Sequence, residues 1–185
     1  MAAQALTALI DLLDAGLPGR DVRVPGAGAQ VRMSRLTGSA WLVRYPPGWS
    51  RAQRGHYLAG EELVVLDGEL TVSGVTYLPG QHGWIPAGAL RHECSAPSGA
   101  LVLAAFTGDP SWVSSDADVP DGPTQRTPLE TVVIPEGGLP LTPRSALLDA
   151  PVTLDQPAEV VTVPTWTWQL STLVPEGRVL VRWPA

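Results

Sequence analysis

The chain has 185 residues, is 44% hydrophobic and carries a formal charge of −6, which fits one domain, or one plus a partial second, and excludes a nucleic-acid surface built on net positive charge. All twelve basic residues are arginine, so Schiff-base and lysine-nucleophile chemistry are excluded. The single cysteine, Cys94, excludes an intrachain disulfide. No stretch approaches membrane-spanning length, and no basic region leads into a long apolar run at the start. A cytoplasmic protein with no membrane or nucleic-acid partner is expected.

Residues 2–15 carry the one helical period, with Leu6, Leu9, Ile10 and Leu13 on one face and Gly16 and Pro18 as the stop. From Asp21 to Thr107 the text reads as strands, over 21–24, 30–35, 39–45, 52–58, 61–66, 69–73, 82–86, 91–95 and 100–106. Turn signals separate them, among them Pro46-Pro47-Gly48, Asp67-Gly68, Ser73-Gly74, Pro79-Gly80 and Pro97-Ser98-Gly99. The nineteen glycines and nineteen prolines punctuate short Val-, Leu- and Trp-rich runs throughout, which is the signature of a sandwich, jelly roll or barrel.

Residues 108–127, with the acidic stretch Asp116–Asp121, read as a surface connection. Beyond it, strands are expected at 130–134, 159–163, 166–173 and 178–183. The run from Trp168 to Gly177 echoes Trp41 to Gly48, either as a degenerate second half or as ordinary strand-and-turn composition. The expected division is an N-terminal helix and edge strand (1–29), a barrel core (30–107), a linker (108–127) and a C-terminal β extension (128–185).

Two spaced motifs carry the chemistry. Gly48 is followed by five residues, then Arg54-Gly55-His56, then Glu61 after four more and Gly68 after six more. Gly80 is followed by five residues, then Pro86-Ala87-Gly88, Arg91 and His92. A hairpin of this kind can bring an imidazole and a carboxylate together inside a small barrel. There is no Gly-x-Ser-x-Gly elbow, phosphate loop or dinucleotide fingerprint, so no nucleotide cofactor is expected.

These two motifs resemble those of the cupin superfamily (the RmlC-like jelly roll). The text around them, with Tyr-Pro-Pro-Gly and Trp-Ile-Pro-Ala-Gly, looks most like the ChrR-like and acetylacetone-cleaving branch. Arg54 stands where the family's first histidine is expected. The resemblance spans about 30–107 and implies an all-β, cupin-type double-stranded β-helix. It also implies a divalent metal (Fe, Mn, Ni, Cu or Zn), a small-molecule substrate and pairing as a homodimer.

Carried over by position, His56 and Glu61 are ligands, and His92 joins them if a β-bulge after Gly88 shifts the strand by one residue. Without the bulge, Arg91 points inward and His92 outward. Two histidines and a carboxylate would suit Fe(II) and O₂, which gives dioxygenase or lyase chemistry on a diketone, enol or polyketide-like acid. The other reading is a site that has lost its metal. Arg54 then repels a cation and pairs with Glu61, while His56, Glu61 and Arg54 do the acid–base work of an isomerase, dehydratase or cyclase. A ligand-binding or sensor module and a purely structural barrel complete the alternatives.

Arg54 shares the face of His56 and is expected to line the cavity and meet an anionic substrate. Arg91, Trp41, Tyr45 and Trp84 are the further candidate substrate contacts. Glu62 competes with Glu61, although adjacent strand residues face opposite ways. His82 reads as a strand histidine outside the ligand positions, and Cys94 as a small buried thiol.

Overall fold

The computed structural model describes residues 8–115 and 125–184. They form strands and connections with no helix among them. In chain order the strands are β1 (Ile10–Asp11), β2 (Arg20–Val22), β3 (Val31–Arg35), β4 (Ala40–Tyr45), β5 (Trp49–Arg51), β6 (Gly55–Tyr57) and β7 (Glu61–Gly68). Next come β8 (Leu70–Val72), β9 (Val75–Tyr77), β10 (Gln81–Ile85), β11 (Cys94–Ala96), β12 (Ala100–Phe106) and β13 (Trp112–Ser114). The chain ends with β14 (Gln125–Pro128), β15 (Leu139–Thr142), β16 (Ser145–Leu148), β17 (Val152–Thr162), β18 (Thr167–Val174) and β19 (Val179–Arg182).

The helix expected over 2–15 is not found in the described part of that range. Ile10 and Asp11 pair antiparallel with Trp168 and Thr167, and a turn follows. Only Leu12 of the neighbouring leucines is sealed from water, whereas Leu9 and Leu13 are exposed. Pairing with a strand far away in sequence overrides the local helical period. Residues 2–7 of that helix, and the whole acidic stretch Asp116–Asp121 of the expected linker, lie outside the described residues.

Two compact units emerge, Leu17–Pro128 and a second made of the residues through Gly16 with Leu129–Pro184. In the first, a seven-stranded sheet runs β14-β10-β7-β12-β4-β3-β2, beside a four-stranded sheet β5-β11-β8-β9 and a ribbon of β13 and β6. Its core holds Val31, Val43, Leu63, Val65 and Val102 from the large sheet with Trp49, Leu70, Val72 and Ala96 from the small one. This is the antiparallel jelly-roll arrangement. Glu61–Leu66 is buried at every position; Glu61, Leu63 and Val65 therefore take one face of the sheet and Glu62, Val64 and Leu66 the other. Gly68 closes that strand at φ 72°, where an added Cβ would stand 2.1 Å from the Gly99 carbonyl oxygen, so only glycine fits.

The second unit is one six-stranded sheet, β1-β18-β17-β19-β16-β15. One cluster of Ala158, Val160, Val174, Val179 and Val181 forms its core. A buried pair, Arg182 and Glu159, lies on two adjacent strands of this sheet.

Candidate functional site

A cavity of about 280 Å³ opens inside the jelly-roll unit, at the small end of pockets that take organic ligands. Val31, Val43, Leu63, Leu70 and Val72 give it an aliphatic wall. Trp41, Phe106 and Tyr57 add an edge-to-face series of rings, with centroids 5.8 Å apart for Trp41–Phe106 and 5.5 Å for Tyr57–Phe106. Tyr45 and Trp49 make a second pair at 4.7 Å.

The polar groups are few and convergent. Glu61 is the one carboxylate among the described lining residues. It sits at the start of β7, and β10 ends opposite it at Ile85. Arg91 donates from Nη1 to Glu61 Oε2, and its guanidinium carbon lies 4.7 Å from the Tyr57 ring centroid. Arg51, on β5, donates to the Tyr57 hydroxyl at 3.1 Å and to Cys94 Sγ at 3.6 Å. Its guanidinium stacks over Trp112 at 4.1 Å, a cation–π contact. Arg51 and Arg91 are 4% and 2% exposed.

The charges do not cancel. Two buried guanidinium groups face one carboxylate, and the exposed Arg20 and Arg23 also line the cavity. Among the described residues, four arginines therefore border this one space against a single acid. Burial opposes the charge on Arg51, but the Tyr57 oxygen and the Cys94 sulfur outweigh it and hold the guanidinium above its ordinary value. Burial also pushes both the Tyr45 and the Tyr57 phenols up, with the Glu61 charge adding to each. Both stay neutral hydrogen-bond donors at neutral pH.

Of the residues singled out from the sequence, Glu61, Arg91, Trp41 and Tyr45 line the cavity. His56, His92, Arg54 and Trp84 do not. Arg54, expected to line it, is exposed. The reason is strand parity. Gly55 and Arg91 exchange backbone hydrogen bonds of 3.2 and 2.7 Å, and an added Cβ on Gly55 would stand 2.6 Å from the Trp112 ring. That face belongs to Gly55 and Tyr57, so Arg54 and His56 take the opposite one. No bulge carries His92 inward. Its backbone is held by Ser73 at 2.8 and 3.3 Å, its ring Nδ1 lies 3.8 Å from Glu93, and Arg91 takes the inward position. Trp84 pairs with Glu62 across β10 and β7, on the face away from Glu61. On that face His82 Nε2 lies 2.8 Å from Glu62, so Glu62 is a partner of His82 and not of the cavity.

Sequence reasoning missed Arg51 and Tyr57. The alternation Trp49-x-Arg51 and the position of Tyr57 beside His56 were the available signals. The metal that the resemblance implies needs a cluster of neutral imidazoles and carboxylates. No group of three His, Cys, Asp or Glu side chains able to hold a metal occurs among the described residues. Glu61, the ligand position that does reach the cavity, is already satisfied by a guanidinium, and a second guanidinium adds repulsion. The residues present do not fit the ion.

No family model and no curated protein matches this sequence. Solved structures do. A provisionally assigned dioxygenase from Nostoc punctiforme superposes with a TM-score of 0.67 at 15% identity, over 95% of this chain and 81% of that one. An acetylacetone dioxygenase from Acinetobacter johnsonii aligns over 68% of this chain and 91% of its own, at 16% identity and a TM-score of 0.47. Protein Ylba from E. coli aligns over 94% and 81%, at 13% identity and 0.48. The Nostoc superposition places the fold. With its strand order and that superposition, the chain has the cupin-type fold, an all-β double-stranded β-helix extended by further C-terminal strands.

Proposed function

We propose that this barrel is a small-molecule catalyst working by acid–base chemistry on an oxygenated organic substrate, with arginine in place of a metal ion. The observation that carries the reading is the buried Arg91–Glu61 pair, with Arg51 beside it, in an otherwise apolar cavity. Glu61 accepts a proton from a carbon next to a carbonyl. The bonding pair moves onto the carbonyl oxygen as an enolate, and Glu61 returns the proton to a different carbon. Arg51 and Arg91 stabilise the oxyanion in a low-dielectric space, where preorganised charge counts for most. Tyr57 and Tyr45 supply neutral hydrogen-bond donors, and the rings hold the body of the substrate. Returned to carbon, the proton completes an isomerisation. Given instead to a β-hydroxyl, it lets water leave as the enolate re-forms its carbonyl. Where the enolate carbon attacks a second carbonyl of the same substrate, the new alkoxide takes the proton and a ring closes. None of these outcomes requires an electron acceptor.

The test is deuterium incorporation into a panel of enolisable ketones and oxo acids in D₂O, followed by NMR on chelator-treated protein. Exchange that survives chelation and disappears in Glu61→Gln is the expected result. Exchange that needs added iron, manganese, nickel or zinc, or that persists without Glu61, overturns the reading.

A further inference from the structure

We infer that the ligand of this cavity is a small monocarboxylate with an apolar body, its carboxylate held on the Nε–Nη2 edge of Arg91 with Arg51 alongside. The inference rests on the reading above of the cavity as the reactive site and names the substrate class for it.

Four buried donors on residues that line this cavity have no partner: Trp49 Nε1, Arg51 Nε, Arg91 Nε and Arg91 Nη2. Buried donors left unmade are rare, and charged ones are the costliest to leave so. Here three fall on two guanidinium groups lining one space. The chemistry of the Arg91 edge is specific. A planar guanidinium offers Nε and Nη2 as two parallel donors, which match the two oxygens of one carboxylate. The same chain shows this use elsewhere, where Arg182 holds Glu159 through Nε at 3.1 Å and Nη2 at 2.5 Å. In Arg91 the Glu61 contact uses only Nη1, so the fork is the part that remains.

Charge sets the valence. Two guanidinium groups and one carboxylate leave a single positive charge in the buried part of the cavity, which one anionic group neutralises. Arg20 and Arg23 also line it but are exposed, and charge in water contributes little to holding a second carboxylate. The remaining wall is aliphatic and aromatic, which fits an uncharged, flat or branched hydrocarbon body. Acetate alone leaves that wall uncovered, and a dicarboxylate places a second charge against it.

Binding is measured on the full-length protein by calorimetry and thermal shift with matched pairs: benzoate and benzamide, cinnamate and cinnamamide, hexanoate and hexanamide, with acetate and succinate as controls. At least one apolar acid binds about tenfold or more tightly than its amide, the effect of losing one charge-assisted contact. Arg51→Gln reduces that ratio, and Glu61→Gln, which frees Arg91 Nη1 and adds one net positive charge, tightens the acid severalfold. Amides that bind as well as their acids, acids that bind no better than acetate, or weaker acid binding in Glu61→Gln overturns the inference. Acid binding without Glu61-dependent exchange would sink the acid–base reading alone. Exchange on neutral ketones with no acid preference would sink this inference alone.

Discussion

Arg91 and Glu61 are each other's solvent. Both are sealed in the barrel wall, and removing one leaves the other as a lone buried charge, at a cost of about 3–5 kcal/mol. Arg91→Met should therefore lower the unfolding free energy by about that amount in urea titration, and the double change Arg91→Met with Glu61→Leu should recover most of it. A double variant as unstable as the single one would show that the pair is not coupled. At this scale the motif spacing made Glu61 legible, and the second motif made Arg91 legible. It misplaced Arg54 and His56, because spacing counts residues whereas a pleated strand sorts them by odd and even. The anchor of that parity is the Gly55–Arg91 backbone bridge, which no property of the side chains announces.

The strands follow the same division between what local text carries and what pairing decides. The expected runs at 39–45, 61–66, 69–73, 82–86 and 100–106 match Ala40–Tyr45, Glu61–Gly68, Leu70–Val72, Gln81–Ile85 and Ala100–Phe106, because glycine and proline turns bracket each of them. The run at 130–134 is not a strand, and β15 and β16 were not anticipated. Leu139–Thr142 carries Pro140 and lies at the edge of its sheet, where proline is tolerated. The ribbon of β6 and β13 places Tyr57 and Trp112 over Arg51, with Trp112 opposite Tyr57. Its close packing depends on Gly55, since a Cβ there would stand 2.3 Å from the Val113 carbonyl oxygen. Gly55→Ala should push β13 away and cost about 1–3 kcal/mol. Fluorescence should report the change at Trp112, and an unchanged spectrum and stability would contradict this packing.

For the whole molecule, the two phenols in the cavity wall tie stability to alkaline pH. Tyr45 and Tyr57 titrate above the ordinary phenol value near 10 once folded. The folded state therefore holds more protons than the unfolded state from about pH 10 upward, and stability falls as pH rises through that window. Urea titrations should show little dependence on these groups below pH 10, and then a loss on the order of 1 kcal/mol per pH unit. Tyr45→Phe and Tyr57→Phe should each flatten that slope. An alkaline slope unchanged in both variants would mean that other groups carry it.

The jelly-roll unit is one continuous stretch, whereas the other unit takes its edge strand from before that stretch and the rest of its sheet from after it. The β1 residues pair with Trp168 and Thr167, and the Leu12 amide donates to the Trp166 carbonyl at 3.0 Å. This imposes an order on synthesis. Every contact within the jelly roll is available once Pro128 has been made, and domains generally fold as units as the chain emerges. The segment around Leu12 must wait, unpaired, through more than 150 further residues until its partner strand leaves the ribosome. The jelly-roll unit is thus complete while the Ile10–Asp11 strand is still without its partner.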